Sequence, residues 1–432
     1  MVCPGHIIDD TRPRPDDTWV RVAIVGGGVS GLVTAALLGR RHEVTVFESE
    51  PYAGGHTHTV AVDTPDGAVA VDTGFIVFND RTYPLFTRLL DRLGVASRAT
   101  EMSFSVRCDR TGLEYNGTSL NGLFADRRQL ASPPFLGMVR DILRFIRDGA
   151  DQADRAGRAT VSGFLTAQHY GRRFRDHYLL PMGASIWSCP TGAFLDFPIR
   201  FVMDFFANHG LLQVRDRPTW KVVHGGSARY VERLLGRSAA TVRLSTPVHG
   251  IRRQPDHVVV RSAGRVETFD EVVLACHADQ ALGLLDDATM TERQLLGAFP
   301  YAPNVAVLHT DASWLPRRRR AWASWNYRVP ATPATPPTVT YHMNRLQHLE
   351  TTQQYCVSLN PSAAIRPEAE IARFTYTHPV FTAARVEAQA QHATMIRRRR
   401  TSYCGAYWGY GFHEDGVRSA VAVSAAFGEA FD

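Results

Sequence analysis

Residues 20–59 read VRVAIVGGGVSGLVTAALLGRRHEVTVFESEPYAGGHTHT, and no other stretch restricts the fold of this chain as tightly. Residues 20–25 are an apolar run of the length of one buried parallel strand. They lead directly into Gly26-Gly27-Gly28-Val29-Ser30-Gly31, a complete G-x-G-x-x-G. Leu32, Ala35, Ala36 and Leu38 then recur at helical spacing, residues 44–47 form a second buried run, and Glu48 closes it. Strand, glycines, helix, strand and acid in this order predict a dinucleotide-binding βαβ unit.

Each residue type has a physical reason. Gly26 permits the tight turn, Gly28 has no side chain to hold the backbone off a pyrophosphate, and Gly31 lets the helix pack closely on the strand. The helix N-terminus offers free N–H groups and a partial positive charge to phosphates. Glu48 can accept hydrogen bonds from both ribose hydroxyls, and its charge would repel a 2′-phosphate, which argues against NADP.

The chain has 432 residues, of which 44% are hydrophobic and 21% charged, an ordinary balance for a globular protein with two or three domains or one interleaved enzyme. No apolar run approaches the roughly 18–20 residues that span a bilayer. Residues 1–18, rich in Pro, Asp and Arg and without an apolar core, predict a disordered lead-in and not a signal peptide. The six cysteines are scattered without C-x-x-C pairs, which predicts reduced thiols in a cytoplasmic protein and no metal site. The net charge of +6 is carried by arginine, Lys221 being the single lysine. Aromatic residues do not alternate with basic ones, so nucleic acid is not an expected partner.

The first motif cannot separate NAD from FAD, which share the AMP half. Two later features favour FAD. Gly54-Gly55 follow Glu48 by six and seven residues, and a C-terminal strand–GFHEDG–helix block offers another helix N-terminus at Asp415-Gly416-Val417. The fold expected is α/β: a Rossmann-like FAD-binding domain interleaved with an α+β substrate domain. Residues 19–80, 216–290 and 396–432 are assigned to the FAD-binding domain, and residues 81–215 and 291–395 to the substrate domain. Residues 242–244, 249–252, 257–262 and 266–269 read as an antiparallel meander. Lys221, on a strand before the HGG turn, and Cys404, before the C-terminal turn, read as structural. His56 and His58 flank the path expected of the cofactor and read as links within the loop. Trp187-Ser188 and Trp325-Asn326-Tyr327 either line a substrate tunnel or pack its domain.

The blocks ESEPYAGGHT and HGGSARY and the glycine-rich C-terminal end resemble the flavin-containing amine oxidase and phytoene desaturase superfamily. A narrower likeness rests on DTGFIVFNDRTYP, LLPMGASIWSCP, WKVVHGGSARYVERL, ASWNYR, VTYHMNRLQ, YTHPVF and YCGAYWGYGFHEDG, which occur in that order. Together these resemble flavoproteins often encoded beside cyclopropane-fatty-acid synthases, and the N-terminal domain of plant cyclopropane synthases is similar. The resemblance implies the amine-oxidase type of fold and non-covalent FAD. It implies contacts from Gly26, Gly28, Val29, Ser30 and Gly31 at the pyrophosphate and Glu48 at the ribose. Gly54, Gly55, His56 and Thr57 would follow along the chain to the flavin, with Val248 at the adenine and Glu414, Asp415, Gly416 and Val417 near the ribityl and pyrophosphate. His56 stands where amine oxidases usually have Arg. No catalytic side chain is assigned.

The activity this implies is hydride transfer between flavin N5 and an apolar substrate, with a fatty-acyl chain of a modified phospholipid as the leading class. The alternatives are a flavin amine or polyene oxidase or desaturase, a flavin-dependent double-bond isomerase, and a non-catalytic flavoprotein partner of a lipid methyltransferase. The helix expected over residues 134–147 carries Arg140, Arg144 and Arg147 off its apolar face. Such a helix reads first as a core helix, and the basic runs 317–320 and 397–400 as solvated faces; the alternative reading of all three is peripheral contact with the inner face of a membrane.

Overall fold

The computed structural model describes residues 19–431 except 65, 66, 188, 214–216 and 333; the reading of residues 1–18 and that of Ser188 lie outside the described residues. Five strands form a parallel sheet in the order Thr241–Arg243, Glu43–Phe47, Arg21–Val25, Glu271–Leu274, Thr401–Tyr403. Such a sheet needs cover on both faces, which is why its strands are almost uniformly apolar. Val22, Ala23, Ile24, Val46, Val272, Val273 and Leu274 are all fully buried. On one face Ile24, Val46 and Val273 pack with Ala35 and Leu38 of the helix Val29–Leu38 and Val423 of the helix His413–Ala425. On the other, Ala23, Val272 and Leu274 pack with Ile251, Val258, Val260 and Phe269 of an antiparallel meander.

That meander is Val248–Arg253, Val258–Ser262 and Arg265–Phe269. Residues 242–244 do not belong to it, contrary to the sequence reading. Val242 pairs with Val46 in parallel register at the sheet edge. The Glu48 N–H donates to the Arg243 carbonyl at 2.9 Å, and the Arg243 guanidinium lies over the Phe47 ring. A three-residue strand has too little alternation to show its partner; these contacts decide it.

A second, mixed sheet of seven strands runs Glu370–Pro379, Tyr301–His309, Cys356–Leu359, Thr338–His342, Trp325–Val329, Phe104–Cys108, Leu113–Asn116. Its core is shared with the helices Pro133–Ala156, Leu180–Trp187 and Ile199–Asn208. The first of these has 24 residues and outruns the helix expected over 134–147. Beyond Arg147 its buried stripe passes to Gly149 and Ala153. A Cβ on Gly149 would stand 2.8 Å from Met203 Cε, so the helices touch through small residues that a hydrophobic pattern does not register. No helix among the described residues is long and apolar enough to cross a membrane.

Candidate active site

The turn after Arg21–Val25 is built as its glycines require. Gly26 has φ +109°, and a Cβ there would meet the Ala275 backbone at 2.9 Å. A Cβ on Gly31 would fall 1.9 Å from the Gly26 carbonyl oxygen, so this helix can only lie so close to the strand with glycine. The helix has Gly28 as its N-cap, no side-chain cap and no acid in its first turn. Its first backbone bond is Leu32 N–H to Gly28 C=O at 2.9 Å, which leaves the preceding N–H groups without helical partners. They face a cavity. No atom lies within 4 Å of a Cβ built on Gly28.

Two further pieces complete this end. The Glu48 carboxylate is buried and accepts from the Gly27 N–H at 2.7 Å and the Glu50 N–H at 2.9 Å, fixing it beside the turn. The Gly54 N–H donates to the Gly27 carbonyl at 2.8 Å, which ties the second glycine pair to the first loop. Gly26, Gly28, Val29, Ser30, Glu48, Gly54, Gly55, His56 and Val248 all line one continuous cavity of about 930 Å³.

Past Gly55 the wall changes character. His56, His277 and His378 gather at a waist, with ring centroids 5.9 Å apart for His56–His277 and 5.3 Å for His56–His378. His277 Nδ1 is 3.0 Å from Thr377 Oγ1, and His378 Nδ1 is 3.0 Å from Asn304 Nδ2. Burial pushes His56 and His277 down to about 4 and His378 to about 3, so all three are neutral imidazoles at pH 7. His56 Nε2 and the Tyr407 hydroxyl are buried on this wall without a partner among the described residues. Beyond the waist lie Val139, Ile142, Ile146, Met182 and Ile186, with Trp187 and Trp325 at the side. Among the described residues of the wall, Glu48 is the only carboxylate and Arg217 the only guanidinium.

The sequence profile of the flavin containing amine oxidoreductases matches residues 29–338, well over half of the chain. The chain belongs to that family. It is an FAD-dependent oxidoreductase. Tryptophan 2-monooxygenase of Allorhizobium ampelinum is 36% identical over 103 residues, 23% of this chain and 14% of that protein, so the alignment spans a small part of that relative's length. Among solved structures, a putrescine oxidase double mutant superposes with TM-score 0.65 at 16% identity, covering 95% of this chain and 99% of that one. A CLA-producing fatty acid isomerase from P. acnes gives TM-score 0.65 at 16% identity, covering 94% and 98%. Cyclohexylamine oxidase from Brevibacterium oxydans gives 0.64 at 16% identity, covering 95% and 99%. These likenesses show the shared fold.

The cradle suits FAD on the chain's own terms: an uncapped helix N-terminus for the pyrophosphate, an open space at Gly28, and orphaned polar atoms on His56 and Tyr407 further along. The remaining residues named from the sequence stand behind the wall. Gly31 packs the helix on the strand. Thr57 Oγ1 bonds Tyr230 Oη at 2.5 Å and His413 Nε2 at 2.9 Å, and His413 stacks on Phe75 at 3.5 Å. Glu414 accepts from Leu85 and Phe86 N–H and so caps the helix Pro84–Leu93. Asp415 accepts from the Phe412 N–H and pairs with Arg418, while Gly416 and Val417 are buried in helix packing.

Other readings resolve in the same way. Lys221 pairs with Asp80 at 3.6 Å and is not on the wall. His58 Nδ1 is 3.1 Å from Tyr376 Oη, and its ring stacks on Tyr52, as a link in the loop. Cys404 is buried against Thr34. Trp187 and Trp325 line the cavity, whereas Asn326 and Tyr327 are buried away from it. The HGGSARY turn is a clasp: Ser227 donates from both its N–H and Oγ to Asp72 at 2.8 Å, and Gln347 donates to the same carboxylate. Sequence reasoning gave no role to His277, Tyr376 and His378. The one available signal was YTHPVF itself, where Tyr376 and His378 alternate along a strand and so share a face.

Proposed function

We propose that this flavoenzyme binds FAD non-covalently and exchanges a hydride between flavin N5 and an apolar chain, with a fatty-acyl chain of a phospholipid as the substrate class. One observation carries the reading. The cavity continues past the histidine waist into a chamber of Val, Ile, Leu, Met and Trp side chains, and Glu48, its only carboxylate among the described residues, lies at the nucleotide end. A cationic amine would find no counter-charge there, and leaving it unpaired in so buried a place is costly. A hydrocarbon chain gains from the same surface.

In this reading residues 19–80, 216–290 and 396–432 hold the cofactor, and residues 81–215 and 291–395 enclose the substrate. FAD, when bound, supplies the hydride chemistry. The protein's part is to align the chain, exclude water and offer uncharged donors and acceptors at the waist. His56, His277 and His378 are neutral at pH 7, so each offers one N–H donor and one ring-nitrogen acceptor without placing a charge beside the substrate. The narrower likeness to flavoproteins encoded beside cyclopropane-fatty-acid synthases supports a modified acyl chain.

A second reading keeps the site and removes net oxidation: a double-bond isomerase. The similarity of fold to a fatty acid isomerase favours it. Difference spectra of the FAD-loaded protein separate lipid from amine. Long-chain acyl lipids should perturb the flavin absorbance in a saturable way, whereas putrescine and cyclohexylamine should not. Perturbation by the amines alone overturns the proposal.

A further inference from the structure

The helix Pro133–Ala156 forms part of the cavity's wall and also faces solvent. Val139 and Leu143 of that helix border the cavity on one side and, on the other, an outer groove with Leu136, Arg140, Arg144 and Arg147. Leu143 is 55% exposed, although it belongs to the chamber's wall.

The surface around this helix is unusual in two independent respects. It holds four large exposed hydrophobic side chains, Leu120, Leu130, Leu136 and Leu143, close together in sequence. It is also strongly basic. Residues 117–147 and 317–322 contain nine arginines and two aspartates, Asp126 and Asp141, both buried. The pieces are neighbours in the fold: the turn Leu120–Leu123 touches Arg319–Ala321, and Arg127–Ala131 touches the long helix. Arg128 and Arg318 share Asp126, Arg144 pairs with Asp141, and Arg147 pairs with Asp148. Arg127, Arg317, Arg319 and Arg320 have no carboxylate partner among the described residues.

We infer that this face docks on an anionic lipid bilayer, with its leucines in the headgroup–acyl boundary and its arginines on lipid phosphates, so that an acyl chain enters the cavity alongside Val139 and Leu143. Leucines interleaved with unpaired arginines match a bilayer, which offers hydrocarbon beneath negative charge. A nucleic acid or an acidic protein surface would satisfy the arginines and leave the leucines in water. The position of Val139 and Leu143 adds the functional reason: a chain passing straight from bilayer to cavity never exposes its methylenes to water. The loading step rests on the acyl-chain proposal; the docking itself does not.

The test is sedimentation of the FAD-loaded protein with vesicles of phosphatidylcholine alone or with phosphatidylglycerol. The variants are Leu130→Asp with Leu136→Asp, and Arg317→Glu with Arg320→Glu. Binding should require phosphatidylglycerol, weaken with salt, and fall at least tenfold in each double variant, while the bound flavin is retained. Reduction of the flavin by an acyl lipid dispersed in detergent should be unchanged in all of them. Failure to sediment with either vesicle overturns the docking, even if the detergent-dispersed lipid still reduces the flavin. Equal binding by wild type and both variants overturns it too. Variant-sensitive binding without reduction by any lipid supports the docking and sinks net oxidation of an acyl chain instead.

Discussion

Gly416 packs against Val29 so closely that a Cβ on the glycine would stand 2.7 Å from Val29 Cγ1 and 3.0 Å from Ser30 Oγ. The C-terminal helix therefore braces the helix whose N-terminus faces the cofactor cavity, although Val29 and Gly416 stand 387 positions apart in the chain. Gly416→Val should overpack this contact at a cost of about 1–3 kcal/mol. The expected result is a lower melting temperature together with a reduced flavin-to-protein ratio after gel filtration.

Gly28 gives a cleaner test of the cradle. Its Cβ position is open in the protein alone, so Gly28→Val should fold. The same side chain would occupy the space the pyrophosphate needs. The variant should show wild-type circular dichroism and lose FAD affinity by at least a hundredfold, about 2.8 kcal/mol. Equilibrium dialysis against FAD measures it directly.

Arg253 joins the meander to the helix Met290–Leu296 through a bidentate pair with Glu292, which also accepts from Tyr403 Oη at 2.7 Å. Burial raises the carboxyl, but the bonds from Arg253, Thr289 and Tyr403 outweigh it and bring Glu292 down to about 2. A depressed carboxyl contributes stability above its unfolded value of 4.5 and loses it as the pH falls toward 2. Glu292→Gln leaves a buried guanidinium half-paired, which should destabilise the fold by roughly 3 kcal/mol at pH 7. Denaturant titrations at pH 7 and pH 3 should show the gap between variant and wild type narrowing in acid.

His309 predicts a different acid response. It is fully buried in the seven-stranded sheet, with Nδ1 accepting from the Asp311 N–H at 3.1 Å and Nε2 facing Ser358 Oγ at 2.9 Å. Burial pushes it down to about 4, against the opposing influence of Asp311 and Glu370. A depressed imidazole contributes stability above its ordinary value of 6.5, and that contribution is lost as the pH falls through about 4. His309→Gln should be less stable at pH 7, yet its stability should fall less steeply between pH 6.5 and 4, by up to about 1.4 kcal/mol per pH unit for one proton.

The central sheet was readable because its strands are buried on both faces and therefore spell continuous apolar runs, as in residues 22–25 and 272–274. The glycine loop was readable because its constraints are steric and act on single residues. What escaped the sequence depends on distance along the chain. Residues 241–243 are too short to name their partner, and the extension of Pro133–Ala156 runs on Gly149 and Ala153. The histidine waist draws His56, His277 and His378 from three separated segments, each of which looks ordinary alone. Gly416 and Glu414 carried a signal as glycine-rich helix-start residues, but not which neighbour they serve: one braces a helix, the other caps one.

The acyl-chain oxidoreductase reading is tested most directly by mixing the FAD-loaded protein with fractionated membrane lipids without oxygen and following the flavin absorbance. A long-chain phospholipid fraction should bleach the oxidised flavin at a rate that saturates with lipid, with one new double bond per flavin reduced. Lipid that is converted while the flavin stays oxidised would contradict net oxidation and favour the isomerase, and bleaching by amines but by no lipid would contradict the substrate class.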